Sequence, residues 1–320
     1  MREKIYGLLL DHMHEFVSGE ALSRELGISR TAILKHVQAI KSDGARIESV
    51  NNKGHKLQEM ADRLKQEYIA PLIEDCPFTF IWHESVDSTN AAAKALALKG
   101  EKEFTCVTAE EQSGGRGRMG RVWSSPKYKG IYITLILRPD IAPEKTPGIT
   151  VLLSLAACRV LRGIGLDAAV KWPNDVLIAG KKAVGILTES SVNMDGVEYA
   201  VSGMGINVNS EPDDFSAELK NTATSVLIEK GAAVPRTKLL ADVLSEFAIF
   251  YRVFIKDGLK PLMGLYREYS ALHGKEITLY TQTGEEKGFF AGFDEEAALL
   301  LKTEGGIKRY IAGEISLRRI

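Results

Sequence analysis

The chain has little cysteine, no early proline and no long apolar run. Its 320 residues include three cysteines, Cys76, Cys106 and Cys158, whose spacing fits neither a metal site nor an even disulfide framework. This favours a reducing compartment, the cytoplasm. The apolar stretch from Val151 to Val160 is too short to cross a bilayer. We therefore expect a buried helix there and no membrane association.

A strong charge of one sign and the common motifs of covalent catalysis are missing as well. The net charge of -1 excludes a basic surface over the whole protein, so a nucleic-acid contact would have to come from a local patch. No Ser-His-Asp order, HExxH motif or setting for a nucleophilic cysteine is present. What remains is an ordinary globular composition, 45% hydrophobic and 26% charged, in a chain long enough for two or three domains.

The distribution of proline sets the first part of the chain apart, because all ten prolines lie from Pro71 onward. The preceding segment predicts three short helices and a hairpin, the pattern of a winged helix-turn-helix over residues 1–63. On the third helix Ile33, Val37 and Ile40 form one apolar stripe. The DNA-binding candidates lie on the other side of that helix and in the wing: Arg30, Thr31, Lys35, Gln38 and Lys53.

The charge of this segment is only weakly basic. Residues 1–60 hold nine Lys and Arg against eight Asp and Glu. Since affinity for DNA grows with the number of phosphate contacts, one copy would bind weakly. We therefore expect a homodimer that reads two half-sites of operator DNA. A protein-interaction module, or a helical cap with a solvated polar face, is the alternative.

A glycine loop, Gly115 to Arg121, carries the strongest signal in the rest of the chain. The G-x-G-x-x-G pattern does not predict a dinucleotide site, because a strand rather than a helix follows it. A P-loop is excluded as well, since Arg121 and Val122 replace the lysine and the hydroxyl residue. Arg116, Arg118 and Arg121 remain as guanidinium groups that can bind a polyanion. The alternative is a solvated turn.

A second polar cluster runs from Lys171 to Asp175 and continues to Lys182. Pro173 biases the residue before it toward an extended conformation, which presents Asp175 on a turn. That aspartate could hold a metal ion, and the lysines could hold phosphate or carboxylate oxygens; a plain hairpin is the alternative. Together the two clusters suit a carboxylate that attacks the α-phosphate of ATP with the help of Mg²⁺.

The remaining pattern predicts an α+β protein. A charged stretch from Ala61 to Tyr68 predicts a linking helix. Mixed strands and helices over residues 64–272 predict a central mixed α/β domain, and recurring strands over residues 273–320 predict a small antiparallel barrel.

Four runs together resemble the biotin protein ligases. They are GRGRMGRVWSSP from Gly115, KWPND from Lys171, KAVGIL from Lys182 and GMGIN from Gly203. With the winged helix, the chain is similar to the bifunctional form that also represses biotin genes. The resemblance implies a central domain of the biotin/lipoate ligase type and a C-terminal SH3-like barrel. It also implies ATP and biotin as substrates, biotinoyl-5'-AMP as intermediate and co-repressor, and a lysine of a biotin carboxyl carrier protein as acceptor.

The resemblance also implies residue roles. The residues similar to biotin contacts are Ser88, Thr89, Asn90, Gln112, Arg116, Gly117, Arg118 and Lys182. Those on the ATP or adenylate side are Arg116, Arg118, Arg121, Trp123, which would stack on adenine, and Asn207. The catalytic group comprises Arg118, Lys182, Asp175 and Lys171, with Asp175 on the Mg²⁺ side.

Two other functions compete with this interpretation. Lipoate or octanoate ligation uses the same reaction class, although the winged helix and the run from Gly115 to Trp123 disfavour it. A transcription regulator that senses biotin without ligating it is the other, and the intact set of Arg118, Asp175 and Lys182 disfavours that. One departure from the family pattern is Tyr128, which stands where many relatives carry glycine.

Overall fold

The computed structural model describes residues 1–194, 196–281 and 284–317. Its N-terminal module contains three helices and a two-stranded wing. They are α1 (Arg2–Asp11), α2 (Gly19–Leu26), α3 (Arg30–Ser42), β1 (Arg46–Val50) and β2 (Gly54–Glu59). Ser18 and Ser29 begin α2 and α3, and each side-chain oxygen accepts a hydrogen bond from a backbone N–H of the first turn. The stripe of Ile33, Val37 and Ile40 is buried. The predicted winged helix is confirmed.

The linker after the wing differs from the prediction. Only Gln66–Ile69 forms a helix, α4, and the residues from Ala61 to Lys65 are not helical. The reason is that side chains take the backbone groups a helix would use. The Ala61 carbonyl accepts from the Thr237 hydroxyl (3.3 Å), the Asp62 carbonyl from Arg236 (2.6 Å) and the Leu64 carbonyl from the Thr108 hydroxyl (2.7 Å).

A seven-stranded sheet forms the centre of the next domain, in the order β3-β4-β5-β9-β8-β7-β6. Strands β3 and β4 pair in parallel and the other neighbours are antiparallel. The strands are β3 (Thr79–His83), β4 (Thr105–Ala109), β5 (Gly130–Leu137), β6 (Ala168–Lys171), β7 (Asp175–Ile178), β8 (Lys181–Asn193) and β9 (Gly196–Asn207). The glycine loop joins β4 to β5, as its strand-loop-strand pattern predicts.

Helices cover both faces of this sheet. They are α5 (Thr89–Leu98), α6 (Pro147–Gly163), α7 (Val226–Lys230), α8 (Arg236–Asp257) and α9 (Met263–Glu268). Helix α6 is apolar on nearly all sides and packs between α8 and the sheet, which confirms the buried helix predicted from Val151 to Val160. Alanines of α5 pack on the opposite face against β4, β5 and β9.

The C-terminal domain is a five-stranded antiparallel sheet in the order β13-β12-β11-β10-β14. Its strands are β10 (Glu276–Thr281), β11 (Gly284–Phe293), β12 (Leu299–Thr303), β13 (Gly306–Tyr310) and β14 (Glu314–Leu317). The α+β class is confirmed, and closure into an SH3-like barrel stays a prediction. The Trp172 indole N–H donates to the Ala297 carbonyl (3.0 Å), so this domain is fixed against the turn that follows β6. Within the described ranges no helix is long and apolar enough to cross a membrane.

Candidate active site

A cavity of about 1310 Å³ lies between the glycine loop, strands β8 and β9, and the C-terminal sheet. Every ligase-site residue predicted from the sequence lines it: Ser88, Thr89, Asn90, Gln112, Arg116, Gly117, Arg118, Arg121, Trp123, Lys171, Asp175, Lys182 and Asn207. These residues come from seven different elements and loops. The fold thus brings the two polar clusters into a single site.

One end of the cavity is built on the start of α5. The Thr89 backbone N–H and hydroxyl both donate to the Gln112 side-chain oxygen (2.9 and 3.0 Å), and the Gln112 amide donates to the Ser125 hydroxyl (2.8 Å). Ser88, Thr89 and Asn90 are buried. This end therefore holds neutral donors and acceptors in fixed positions, which suits an uncharged polar ligand group.

Asn90 is fixed by both neighbouring strands. Its amide nitrogen donates to the Leu187 carbonyl (3.1 Å), and its oxygen lies 2.7 Å from the Thr134 hydroxyl. Its oxygen also lies directly against Gly203, where a Cβ atom would overlap it. The sequence did not single out Thr134, because a threonine in a buried strand gives no signal of its own.

The glycine loop supplies cations at the middle of the cavity. Arg118 donates to the Asn174 side-chain oxygen (2.9 Å), and the Asn174 amide donates to the Ile186 carbonyl (3.0 Å). Arg116 on the same loop is exposed. Arg118 is thus held toward the turn before β7, whereas Arg116 is open to solvent and to a ligand.

Arg121 contacts the C-terminal domain. Its guanidinium forms a two-point ion pair with Glu314 at the start of β14 (2.5 and 2.8 Å). An arginine paired this way is oriented by both bonds. The role of Glu314 was not predicted, because 193 positions separate the partners and only the packing of the C-terminal sheet brings them together.

The lysine-rich turn forms the opposite end from α5. A cis peptide bond joins Trp172 to Pro173, and Asp175 begins β7. The Lys182 ammonium lies 2.7 Å from the Asp175 carboxylate. Burial lowers the pKa of Lys171 below its ordinary value of 10.5, and the Asp175 carboxylate partly opposes that shift. At this end Lys171 and Lys182 are therefore both close to the Asp175 carboxylate.

The indole ring of Trp123 packs against two glycines. Gly185 of β8 and Gly205 of β9 are directly opposite each other, and the indole ring occupies the space where their side chains would be. A Cβ atom at Gly185 would lie 2.7 Å from the ring. In the part of the chain that the structure describes, the buried indole N–H has no hydrogen-bond partner. The Lys182 ammonium is 5.5 Å from the ring centroid.

Asn207 lines the cavity at the end of β9. Its amide donates to the Thr224 carbonyl (3.0 Å), and the Lys182 N–H donates to the Thr222 carbonyl (2.8 Å). The segment before α7 therefore fixes both residues at the cavity wall.

The cavity is better suited to a metal ion that arrives bound to a nucleotide than to a metal ion that the protein holds by itself. Among residues 1–194, 196–281 and 284–317 no three His, Cys, Asp or Glu side chains converge as a metal cage. Mg²⁺ commonly binds through one or two carboxylates together with substrate phosphates. Asp175, half-buried at the wall beside Lys182, fits that limited contribution.

The DNA-binding candidates are all exposed. Arg30, Thr31, Lys35 and Gln38 of α3 are exposed, and so is Lys53 in the turn of the wing. Arg30 forms a 2.7 Å ion pair with Glu20 of α2. Exposed donors on a third helix and on a wing suit contact with the DNA major groove and its flanking backbone.

Fold and site together define a class: a ligase domain that binds an organic acid and a nucleotide, joined to a winged-helix DNA-binding module. Three family models match the chain in succession. They are the HTH domain over residues 2–56, the biotin/lipoate A/B protein ligase family over residues 82–207, and the biotin protein ligase C terminal domain over residues 272–318.

Known proteins agree with this order over nearly the whole chain. The bifunctional ligase/repressor BirA of Bacillus subtilis is 38% identical over 99% of this chain and 98% of its own length. The Escherichia coli protein of that name is 32% identical over 95% and 94%. The biotin protein ligase of Aquifex aeolicus in complex with biotin and ATP superposes with a TM-score of 0.66, at 31% identity over 76% of this chain. The chain belongs to the biotin protein ligase family, with the bifunctional ligase/repressors.

Proposed function

We propose that the protein activates biotin with ATP and transfers it to a lysine of a biotin carrier domain. In the first step a biotin carboxylate oxygen bonds to the α-phosphorus of ATP and pyrophosphate leaves. In the second the neutral amine of the acceptor lysine bonds to the acyl carbon, AMP leaves and the amine gives up a proton. The observation that carries this proposal is the single cavity with a neutral polar end at α5 and a cationic end at Lys182.

The neutral end suits the ureido ring of biotin. That ring needs a few donors and acceptors in a shaped pocket, and Ser88, Asn90 and Gln112 offer them. Thr89 orients Gln112 through its two hydrogen bonds. Gly117 allows the loop backbone to approach the ligand closely.

The cationic residues suit the carboxylate and the phosphates. Arg116, Arg118 and Lys182 carry the charge that opposes repulsion between two anions as they meet. Arg121 and Asn207 are assigned to the nucleotide side, and Trp123 is assigned to the adenine ring. A large aromatic face at the cavity wall supports this last assignment.

Asp175 would hold Mg²⁺ together with the phosphates of ATP, and the ion would neutralise charge on them. In the transfer step the acceptor amine needs a group to receive its proton, and Asp175 offers a carboxylate beside Lys182 at that end of the cavity. Lys171, beside it, is assigned to the phosphate side.

The second function is repression of biotin genes, with biotinoyl-AMP as co-repressor. Arg30, Thr31, Lys35 and Gln38 would enter the major groove, and Lys53 would contact the backbone of operator DNA. A weakly basic module supports a homodimer with two half-sites.

The free thiols of the cysteines support a cytoplasmic location. The proposed domain limits are 1–63, 64–272 and 273–320.

Mass spectrometry of a purified biotin carboxyl carrier domain tests the ligase. The domain is incubated with the protein, ATP and Mg²⁺, and with biotin, lipoate or octanoate in parallel. Of the three acids, we expect only biotin to give a mass shift, equal to one biotinoyl group. A shift with lipoate or octanoate would favour the other ligase, and no shift with any acid would favour a regulator without ligase activity.

Gel-shift titration tests the repressor. DNA selected by the protein from a random pool is titrated with and without biotin plus MgATP. We expect tighter binding with the ligands, because linkage requires the ligand to favour the state that binds DNA. Equal affinities would remove the co-repressor role and leave the ligase intact.

A further inference from the structure

Tyr128 has a backbone conformation that tyrosine rarely adopts. It lies between the glycine loop and β5, and its φ is +63°. The left-handed region disfavours residues with a Cβ atom, whereas glycine enters it freely. Such a residue persists where its side chain makes contacts that offset the strain.

Those contacts join the segment between the glycine loop and β5 to the interdomain linker. The guanidinium carbon of Arg63 lies 4.0 Å from the centroid of the Tyr128 ring. The Tyr128 hydroxyl donates to Glu84, which also pairs with Lys127 (2.6 Å). A cation over an aromatic face is attractive, and more so when the cation is partly desolvated, as Arg63 is. Tyr128 therefore holds Arg63 against the catalytic domain.

The linker around Arg63 is fixed to both domains. On its N-terminal side, the Tyr6 hydroxyl of α1 accepts from Ala61. On the catalytic side, Arg236 bonds the Asp62 carboxylate (3.0 Å) and the Glu110 carboxylate (2.9 Å). A change in the position of Arg63 would thus act on a segment that contacts the DNA-binding module directly.

Tyr128 is equally tied to the ligand site. Its N–H donates to the Glu110 carbonyl (3.2 Å), two residues before Gln112. The Gln112 N–H in turn donates to the Ser125 carbonyl (3.3 Å). Ligand contacts at Gln112 and at the glycine loop therefore bear on the two short segments that place Tyr128.

We propose that the stacked pair of Tyr128 and Arg63 couples occupancy of the adenylate site to the linker of the DNA-binding module. Tyr128 is then a positioning residue for regulation, and ligation does not require it. The proposal rests on the proposed function, because it needs a ligand that orders the glycine loop.

Hydrogen exchange on the full-length protein, with and without biotin plus MgATP, tests this coupling. In the wild type we expect ligand to slow exchange both in the loop over residues 115–123 and in the linker over residues 61–65. In Tyr128→Gly the loop should still respond, while the slowing in the linker should fall by at least about 2- to 5-fold, the range of a cation–π contact at an exposed site. Tyr128→Phe, which keeps the ring, should behave like the wild type.

Arg63→Ala removes the partner without touching the loop, and it should give the same loss in the linker. Combined with Tyr128→Gly it should add little, because both changes remove one interaction. If Tyr128→Gly speeds exchange in α6 as well, the substitution has loosened the whole domain. The exchange of the linker in Arg63→Ala is then the test of the coupling.

Two results would overturn the coupling while sparing the ligase. One is a wild-type linker that does not respond although the loop does, and the other is full slowing of the linker in Arg63→Ala. If the loop itself does not respond and the carrier domain is not biotinylated in the same samples, the proposed function fails and the coupling fails with it.

Discussion

The indole ring of Trp123 lies directly against Gly205, so that a Cβ atom at this position would overlap the Nε1 and Cε2 atoms of the ring. We therefore expect Gly205→Ala to displace Trp123 and to raise the KM for ATP by about 2- to 10-fold, the range for losing one aromatic contact. Steady-state kinetics at saturating biotin would measure it. Gly264→Ala is the matched control, because among the described residues no atom outside its chain neighbours and its own helix backbone lies within 4 Å of its Cβ position. An unchanged KM for ATP would contradict the assignment of Trp123 to the nucleotide.

Lys182 and Lys181 are adjacent lysines with different surroundings. Lys182 pairs with Asp175 in the cavity. We expect Lys182→Met to lower kcat/KM for adenylate formation by about 10²- to 10³-fold, as loss of a charge that stabilises a transition state does. Pyrophosphate release would report it. Lys181→Met should stay within about threefold of the wild type, and equal losses in the two variants would refute the assignment to Lys182.

How far the sequence predicts this structure depends on how local each signal is. The helix caps at Ser18 and Ser29 and the stripe on α3 lie within a few residues of one another, so the winged helix could be predicted. The strand-loop-strand pattern also predicted that Arg118 lies on a loop between two strands, and in the structure that loop joins β4 to β5 and lines the cavity.

Contacts between distant segments could not be predicted. Glu110 and Arg236 are 126 positions apart, and neither belongs to a motif. The irregular linker escaped prediction for the same reason, since its backbone is satisfied by side chains such as that of Glu110 rather than by its own turns.

This buried pair allows a prediction on stability. Arg236 and Glu110 are 1% and 0% exposed. Glu110→Ala removes one of the two carboxylates that pair with Arg236 and leaves the Leu64 and Trp82 N–H groups without their acceptor, so it should lower the free energy of unfolding by about 3–5 kcal/mol. Urea titration would measure this. The neighbouring substitution Glu111→Ala should cost less than about 1 kcal/mol, and a similar cost for both would contradict a special role of the pair.

The wing makes a prediction for DNA binding. If Lys53 contacts a phosphate, Lys53→Ala should weaken binding to all sequences alike and reduce the slope of log K against log salt by about 1. Gel shifts over a salt series would show it. Lys99→Ala, an exposed lysine at the end of α5, should leave the slope unchanged. A loss confined to one sequence would instead indicate a base contact.

Lys171 predicts a pH dependence of stability. Because burial lowers its pKa in the folded protein, it releases its proton at a lower pH there than in the unfolded chain, where the value is 10.5. Between those two values the unfolded state binds more protons, so stability rises with pH. The wild type should therefore gain free energy of unfolding relative to Lys171→Met as pH rises toward 10.5, with no further gain above it. Urea titrations of both proteins from pH 7 upward measure the difference, which cancels titrations that the two share. A constant difference would mean that the Lys171 ammonium is as well solvated in the folded cavity as in the unfolded chain.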